Sequence, residues 1–298
     1  MGFEQTLVQC FINLMSLLKG SYKGLIALDG IFGLMSKAAQ PCFVLALMGF
    51  AVCSQANNEI SLGVGFAALD QGLGQGWRAL PAPSLSIKYQ GFSLATRGPG
   101  LAADLVPSQA LSLGPLVRYS GGRSSRDLPS DYQTTQPDIP ASAEIGLTFG
   151  SGIPWRVIGV PLPGILTVGA DLVTTLPGGH ETEVFAPSLG WVSSVTPRLT
   201  LIGSLGSQWG TKDNINTFFG VAGDPETGVE AYQPGAGLKD LSLSFITSYK
   251  HTARWSSFGL VSVSRYQGDA ARSPLVTETD SLNRLFLVLG VSYTWSFD

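Results

Sequence analysis

Residues able to do chemistry are few and scattered in this 298-residue chain. Its two histidines, His180 and His251, stand in stretches that read as a loop and a turn. Neither belongs to a His-Glu-x-x-His spacing or to another metal-binding pattern. A Ser/His/Asp hydrolase presents its serine on a sharp elbow, and the chain has no Gly-x-Ser-x-Gly. Gly72-Leu73-Gly74-Gln75-Gly76 has the glycines of a dinucleotide loop without the surrounding strand-helix-strand pattern, so it reads as a loop after a strand. Asp224-Pro225 and Asp269 could meet calcium or cations bound to lipopolysaccharide, but as isolated acids they read better as solvated loop charge. No catalytic residue, cofactor or metal site is therefore expected. The charges that do follow a pattern are Lys88, Arg118, Glu144, Asp171 and Lys250. Each falls on the polar side of a segment with alternating polarity, where it would face a water-filled lumen.

The elements that place those charges have period two. Ile60, Leu62, Val64, Phe66 and Ala68 alternate with Ser61, Gly63, Gly65 and Ala67. Successive side chains on a strand point to opposite faces, so one face is apolar and the other small or polar. The same alternation recurs around Leu113–Tyr119, Ala143–Phe149, Leu199–Trp209 and Leu241–Tyr249. A soluble β-sandwich also alternates, but its outer faces need more charge than the 13% of Asp, Glu, Lys and Arg found here. Mean hydropathy is +0.23, yet beyond residue 56 no apolar run reaches the ~18 residues of a spanning helix. The reading is all-β: an antiparallel up-and-down transmembrane β-barrel, with apolar residues toward lipid and polar ones toward the lumen.

Residues 1–56 read as a leader and 57–298 as the barrel. Lys37 supplies a short positive region, Cys42–Val52 an apolar core, and Ser54-Gln55-Ala56 the small residues read by a signal peptidase, with cleavage after Ala56. Val52 is too large for a lipoprotein cleavage at Cys53. Met35 is a natural start; the alternative is an N-terminal helix with Leu7, Phe11, Leu14 and Leu18 at helical spacing. Cys10, Cys42 and Cys53 all leave with the leader, which excludes a disulfide framework or thiolate metal site in the mature chain. Removing Lys19, Lys23 and Lys37 together with Glu4 and Asp29 leaves 15 basic and 19 acidic residues, a net charge of −4. No basic bias for nucleic acid remains.

At the other end, Leu285, Leu287, Leu289, Val291, Tyr293, Trp295 and Phe297 form an unbroken apolar stripe. Tyr293, Trp295 and Phe297 resemble the terminal signal read by the barrel-insertion machinery, although Asp298 follows the phenylalanine. Tight turns fall near Pro197 and His251–Ala253, and long polar stretches at 121–140, 211–235 and 267–283. With tight turns in the periplasm and long loops outside, eleven runs are evident. Even strand number demands a twelfth, which the short pieces 91–97 and 101–106 supply by turning at Gly98-Pro99-Gly100. Twelve strands are expected, with ten as the alternative.

Further motifs carry a family resemblance. They are Ala79-Leu80-Pro81-Ala82-Pro83; Leu113-Gly114-Pro115-Leu116-Val117-Arg118-Tyr119-Ser120-Gly121-Gly122-Arg123; Phe218-Phe219-Gly220-Val221; Gly235–Asp240; and Tyr266-Gln267-Gly268-Asp269-Ala270-Ala271-Arg272-Ser273-Pro274. Over most of residues 57–297 the chain resembles the MipA/OmpV family of outer-membrane proteins. The resemblance implies a scaffold role joining a lytic transglycosylase to a murein synthase of the penicillin-binding class, in a membrane of lipid and lipopolysaccharide. It brings no catalytic residues. Gly268, Asp269, Arg272, Ser273 and Pro274 form its most specific loop: Gly268 permits a turn, Asp269 and Arg272 can pair, and Pro274 sets Ser273 extended. This loop either closes the barrel mouth or binds a partner. A small porin-like or substrate-selective channel is the competing function. Segment 211–235 decides between them, because folded inward with Phe218 and Phe219 anchored it blocks conduction.

Overall fold

Strand pairing fulfils the alternation. The computed structural model describes residues 58–297 apart from 74, 107, 109, 162, 177–181 and 227. The expected leader and its cleavage at Ala56 lie outside the described residues, as do His180 and Asp298. Among the described residues thirteen strands form one sheet. They are β1 Asn58–Asp70, β2 Trp77–Pro81, β3 Ser84–Tyr89, β4 Phe92–Arg97, β5 Gly100–Asp104, β6 Leu111–Ser120, β7 Ser142–Pro154, β8 Ile165–Thr175, β9 Glu183–Ser194, β10 Leu199–Gly210, β11 Gly237–Lys250, β12 Trp255–Tyr266 and β13 Asn283–Phe297.

All pairings are antiparallel, and β13 returns to β1 with Asn58 opposite Phe297 and Phe66 opposite Leu289, so the sheet closes on itself. β2 and β3 are two halves of one stave. β3 pairs with the first half of β1 (Lys88 opposite Glu59) and β2 with the second (Arg78 opposite Leu69). Ala82 between them still donates its N–H to Gly65 O at 2.9 Å. The thirteen strands therefore make twelve staves, as parity requires. The extra stave comes from the short hairpin β4–β5, which turns at Gly98–Pro99 with Arg97 opposite Gly100. Closure rules out the sandwich.

Both described ends and the short connections 90–91, 195–198 and 251–254 lie at one end of the barrel, and the long connections 121–141, 211–236 and 267–282 at the other. Short turns mark the periplasmic end and long loops the extracellular one. The outer face is apolar and bare: Val64, Phe66 and Leu289 are 70%, 79% and 73% exposed. Such surface is stable in lipid, not in water. At the periplasmic end Trp255 meets Tyr293 edge-on at 5.0 Å and Trp295 lies tilted against Tyr293 at 4.6 Å, an interfacial aromatic girdle. Among the described residues no helix is long and apolar enough to cross a membrane; the strands cross it.

Candidate functional site

The long loops are not loose. Short helices form within them: α1 Ser130–Gln133, α2 Lys212–Phe219, α3 Gly268–Arg272 and α4 Pro274–Thr277. Thr211 caps α2 by accepting the Asn214 N–H, and one face of the helix buries Asn214, Ile215 and Phe219. Loops 71–76, 121–141, 211–236 and 267–282 each contribute to a single apolar core that includes Leu73, Leu128, Tyr132, Ile215, Phe219 and Leu275. Tyr266, the last residue of β12, belongs to the same core and meets the Phe219 ring edge-on at 4.9 Å. This is a small hydrophobic core assembled at the mouth of the barrel.

Polar bonds tie the cap across that mouth. Tyr132, between β6 and β7, donates its hydroxyl to Glu278 Oε1 at 2.6 Å, between β12 and β13. Arg123 donates to Phe218 O at 2.6 Å, and the buried Ser273 hydroxyl donates to Phe219 O at 2.7 Å. Lys239 Nζ lies 5.2 Å from the Phe218 ring centroid, a cation–π contact. Asp269 accepts the Gly235 N–H at 2.7 Å and pairs with Arg272, while Tyr232 donates to Asp269 O at 2.8 Å. The Gly235 N–H, and then the Arg272 charge, hold the Asp269 carboxyl below its ordinary value. Burial, and then the Glu278 carboxylate, push the Tyr132 hydroxyl up. The Gly268–Pro274 segment thus clasps 218–219 and 232–235 together. Gly268 has φ +52°, and a Cβ there would stand 3.0 Å from Leu238 O, so glycine suits both the turn and the contact. Ser273 is extended and Pro274 opens α4.

Beneath the cap the inner face carries paired charge. Arg118 pairs with Glu144 on the neighbouring strand, Arg97 with Asp171 across the lumen at 3.0 Å, and Arg284 with Asp240 at 3.5 Å. Arg284 also stacks on Tyr266 at 4.5 Å. The periodicity placed Arg118, Glu144 and Asp171 on this face. Lys88 and Lys250 lie exposed at the periplasmic rim, Lys88 3.9 Å from Glu59.

Part of the lumen is apolar, which alternation alone did not indicate. Val192, Ile202, Ile246, Leu260, Val288 and Ala67 stand directly opposite one another on successive strands, from β9 round to β1. All but Ala67 keep some exposure on the inner face. In the next row Phe258 lies across Gly290 and Gly63.

His251 is exposed at the β11–β12 turn, with Nε2 3.0 Å from Ser257 Oγ and its ring against Tyr249. No group of three potential metal ligands occurs among the described residues. Leu73, inside the glycine-rich loop, is buried in the cap core. Tyr293, Trp295 and Phe297 point outward from β13, the strand that closes the barrel. The cap helices and their core were missed in the sequence, because helices of four to eight residues leave too short a pattern.

Closed antiparallel register, a bare apolar outer face and a charged inner one define an integral outer-membrane β-barrel of a Gram-negative bacterium, its extracellular mouth covered by its own loops. The family described as MltA-interacting protein MipA matches residues 60–295, and the chain belongs to that family. No curated protein matches it. Among solved structures it is similar to an outer-membrane channel from Pseudomonas putida F1 (9% identity, 82% of this chain and 97% of that one, TM-score 0.42). It is also similar to the translocator domain of the autotransporter NalP from Neisseria meningitidis (11%, 85% and 94%, TM-score 0.38) and to OmpT of Vibrio cholerae (10%, 82% and 99%, TM-score 0.35).

Proposed function

We propose that the protein is a non-catalytic scaffold of the cell envelope, holding a lytic transglycosylase and a murein synthase of the penicillin-binding class at the periplasmic face of the outer membrane. One observation carries this reading, the contrast between the two ends of the barrel. The extracellular mouth is covered by a packed core, which opposes solute flow along the axis and weighs against the channel reading. The periplasmic rim is exposed and basic: among the described residues Lys88, Arg156, Arg198, Lys250 and Arg254 stand there against the acids Glu59 and Asp104. A basic rim attracts an acidic partner surface and steers its approach. Family membership supports the same assignment, since the family description is of an interacting protein. Folded barrel in nanodiscs should retain a purified lytic transglycosylase and a purified penicillin-binding protein together. Charge reversal at Arg198, Lys250 and Arg254 should weaken both. A barrel that retains neither enzyme at low salt sinks the proposal.

A further inference from the structure

The barrel wall has a notch. Above the β4–β5 turn at Gly98–Pro99 no strand continues among the described residues, although β1 and β2 run on toward the extracellular end and β6 reaches Ser120. On one side the wall is complete as far as Tyr119, whose N–H donates to Pro99 O at 3.1 Å. On the other, β2 pairs with β1 alone, and its second edge meets no strand among the described residues. Two stave positions are vacant there, about 10 Å of wall at the usual strand spacing.

The free edge of β2 is built to stay free. Ala82 sends its N–H toward β1, and Leu85 sends its own to Thr96 Oγ1 on β4 at 2.8 Å. Adjacent residues on a strand point their N–H groups to opposite edges. Pro81 and Pro83 therefore occupy positions whose N–H would face the notch, and proline has none to offer. An edge so blunted resists pairing with another strand. The Ala79–Pro83 segment, which the scaffold reading leaves unused, has this physical role.

The notch also ends the apolar row of the lumen. Ile165, at the periplasmic start of β8, opposes Val192 at one end of that row, and Leu80 on β2 opposes Ala67 at the other. The strands are tilted, so the row climbs as it goes round, and it stops where the wall stops. On the lipid side the notch is flanked by Trp77, Tyr119, Val117 and Leu101, exposed by 59%, 59%, 50% and 40%. On the lumen side stands Arg78, exposed and without an ion-pair partner among the described residues, with Arg97 at the floor, its side chain 45% exposed beyond its pairing with Asp171. Apolar walls with a cation at the inner lip fit one chemistry.

We propose that the notch and the row behind it form a binding track for a phosphorylated lipid of the outer leaflet, its phosphate on Arg78 and an acyl chain passing through the wall. The cap core packs across the axial mouth, so the notch offers a lateral entrance to the lumen. This goes beyond the scaffold reading and stands without it.

The test uses full-length protein purified from outer membranes in non-ionic micelles, its fold verified by a mobility change on boiling. The probe is 12-bromododecyl phosphate, whose bromine quenches indole fluorescence. Saturable quenching is expected. Its saturable part should vanish in Trp77→Phe, and its midpoint should rise about tenfold in Arg78→Gln, the loss of one charge-assisted contact. Inorganic phosphate should not compete, and 12-bromododecanol should quench only in proportion to its concentration. Identical curves for the unaltered protein and Arg78→Gln, saturation by the alcohol at the same midpoint, or competition by inorganic phosphate would each overturn the proposal.

Discussion

At the residue scale the lumen is governed by charge pairing. Glu144 is buried and pairs with Arg118. Glu144→Gln leaves the guanidinium without its counter-charge; about 2 kcal/mol of stability should be lost, below the range for a dry interior because Arg118 keeps some water. Arg118→Leu with Glu144→Leu should recover most of it, as read from urea unfolding in micelles. Asp269 sets a pH dependence in the cap. Its pKa is depressed by the Gly235 N–H and then Arg272. The stabilisation is therefore complete above the ordinary carboxylate value of about 3.9 and is lost as pH falls through the lower folded value. Proteolysis of 211–236 by pepsin should accelerate as pH falls below 4 by more than cleavage of an unfolded control does, and Asp269→Asn should already be cleaved quickly at pH 4. Arg118, Glu144 and Asp171 were legible in the sequence because period two places them on one face. The partners Arg97 with Asp171 and Arg284 with Asp240 were not, because each joins strands that are not neighbours.

At the element scale, small residues decide how strands meet. A Cβ on Gly290 would stand 2.4 Å from Phe258 Cζ and 2.7 Å from Val64 O. Gly290→Ala should cost about 1–3 kcal/mol through overpacking. Adding Phe258→Leu should return the part due to the ring and leave the part due to the backbone, a difference that urea midpoints measure directly. The strands themselves were legible, down to the short hairpin turning at Gly98–Pro99. The break between β2 and β3 was not. Pro81 and Pro83 were visible as a motif, but which edge their missing N–H groups face depends on how Ala82 pairs with Gly65.

At the scale of the whole molecule, the two ends of the barrel behave differently. The intact protein should give no steady conductance steps in a planar bilayer. Replacing 211–236 by a short Gly-Ser link removes Ile215, Phe219 and Val221 from the cap core, and stepwise conductance should then appear, with the boiling-dependent mobility change retained. Steady steps from the intact barrel would show the cap to be open. The sequence by itself determined the barrel class, the lipid-facing side of its evident runs and where the main turns fall, with twelve staves expected and ten as the alternative. These follow from a side-chain period of two and from loop length, both local properties. The tertiary structure alone decided the capped mouth, the apolar row and the notch. Each depends on which residues of distant strands or loops stand opposite one another, and that register is set by the closure and tilt of all the staves together.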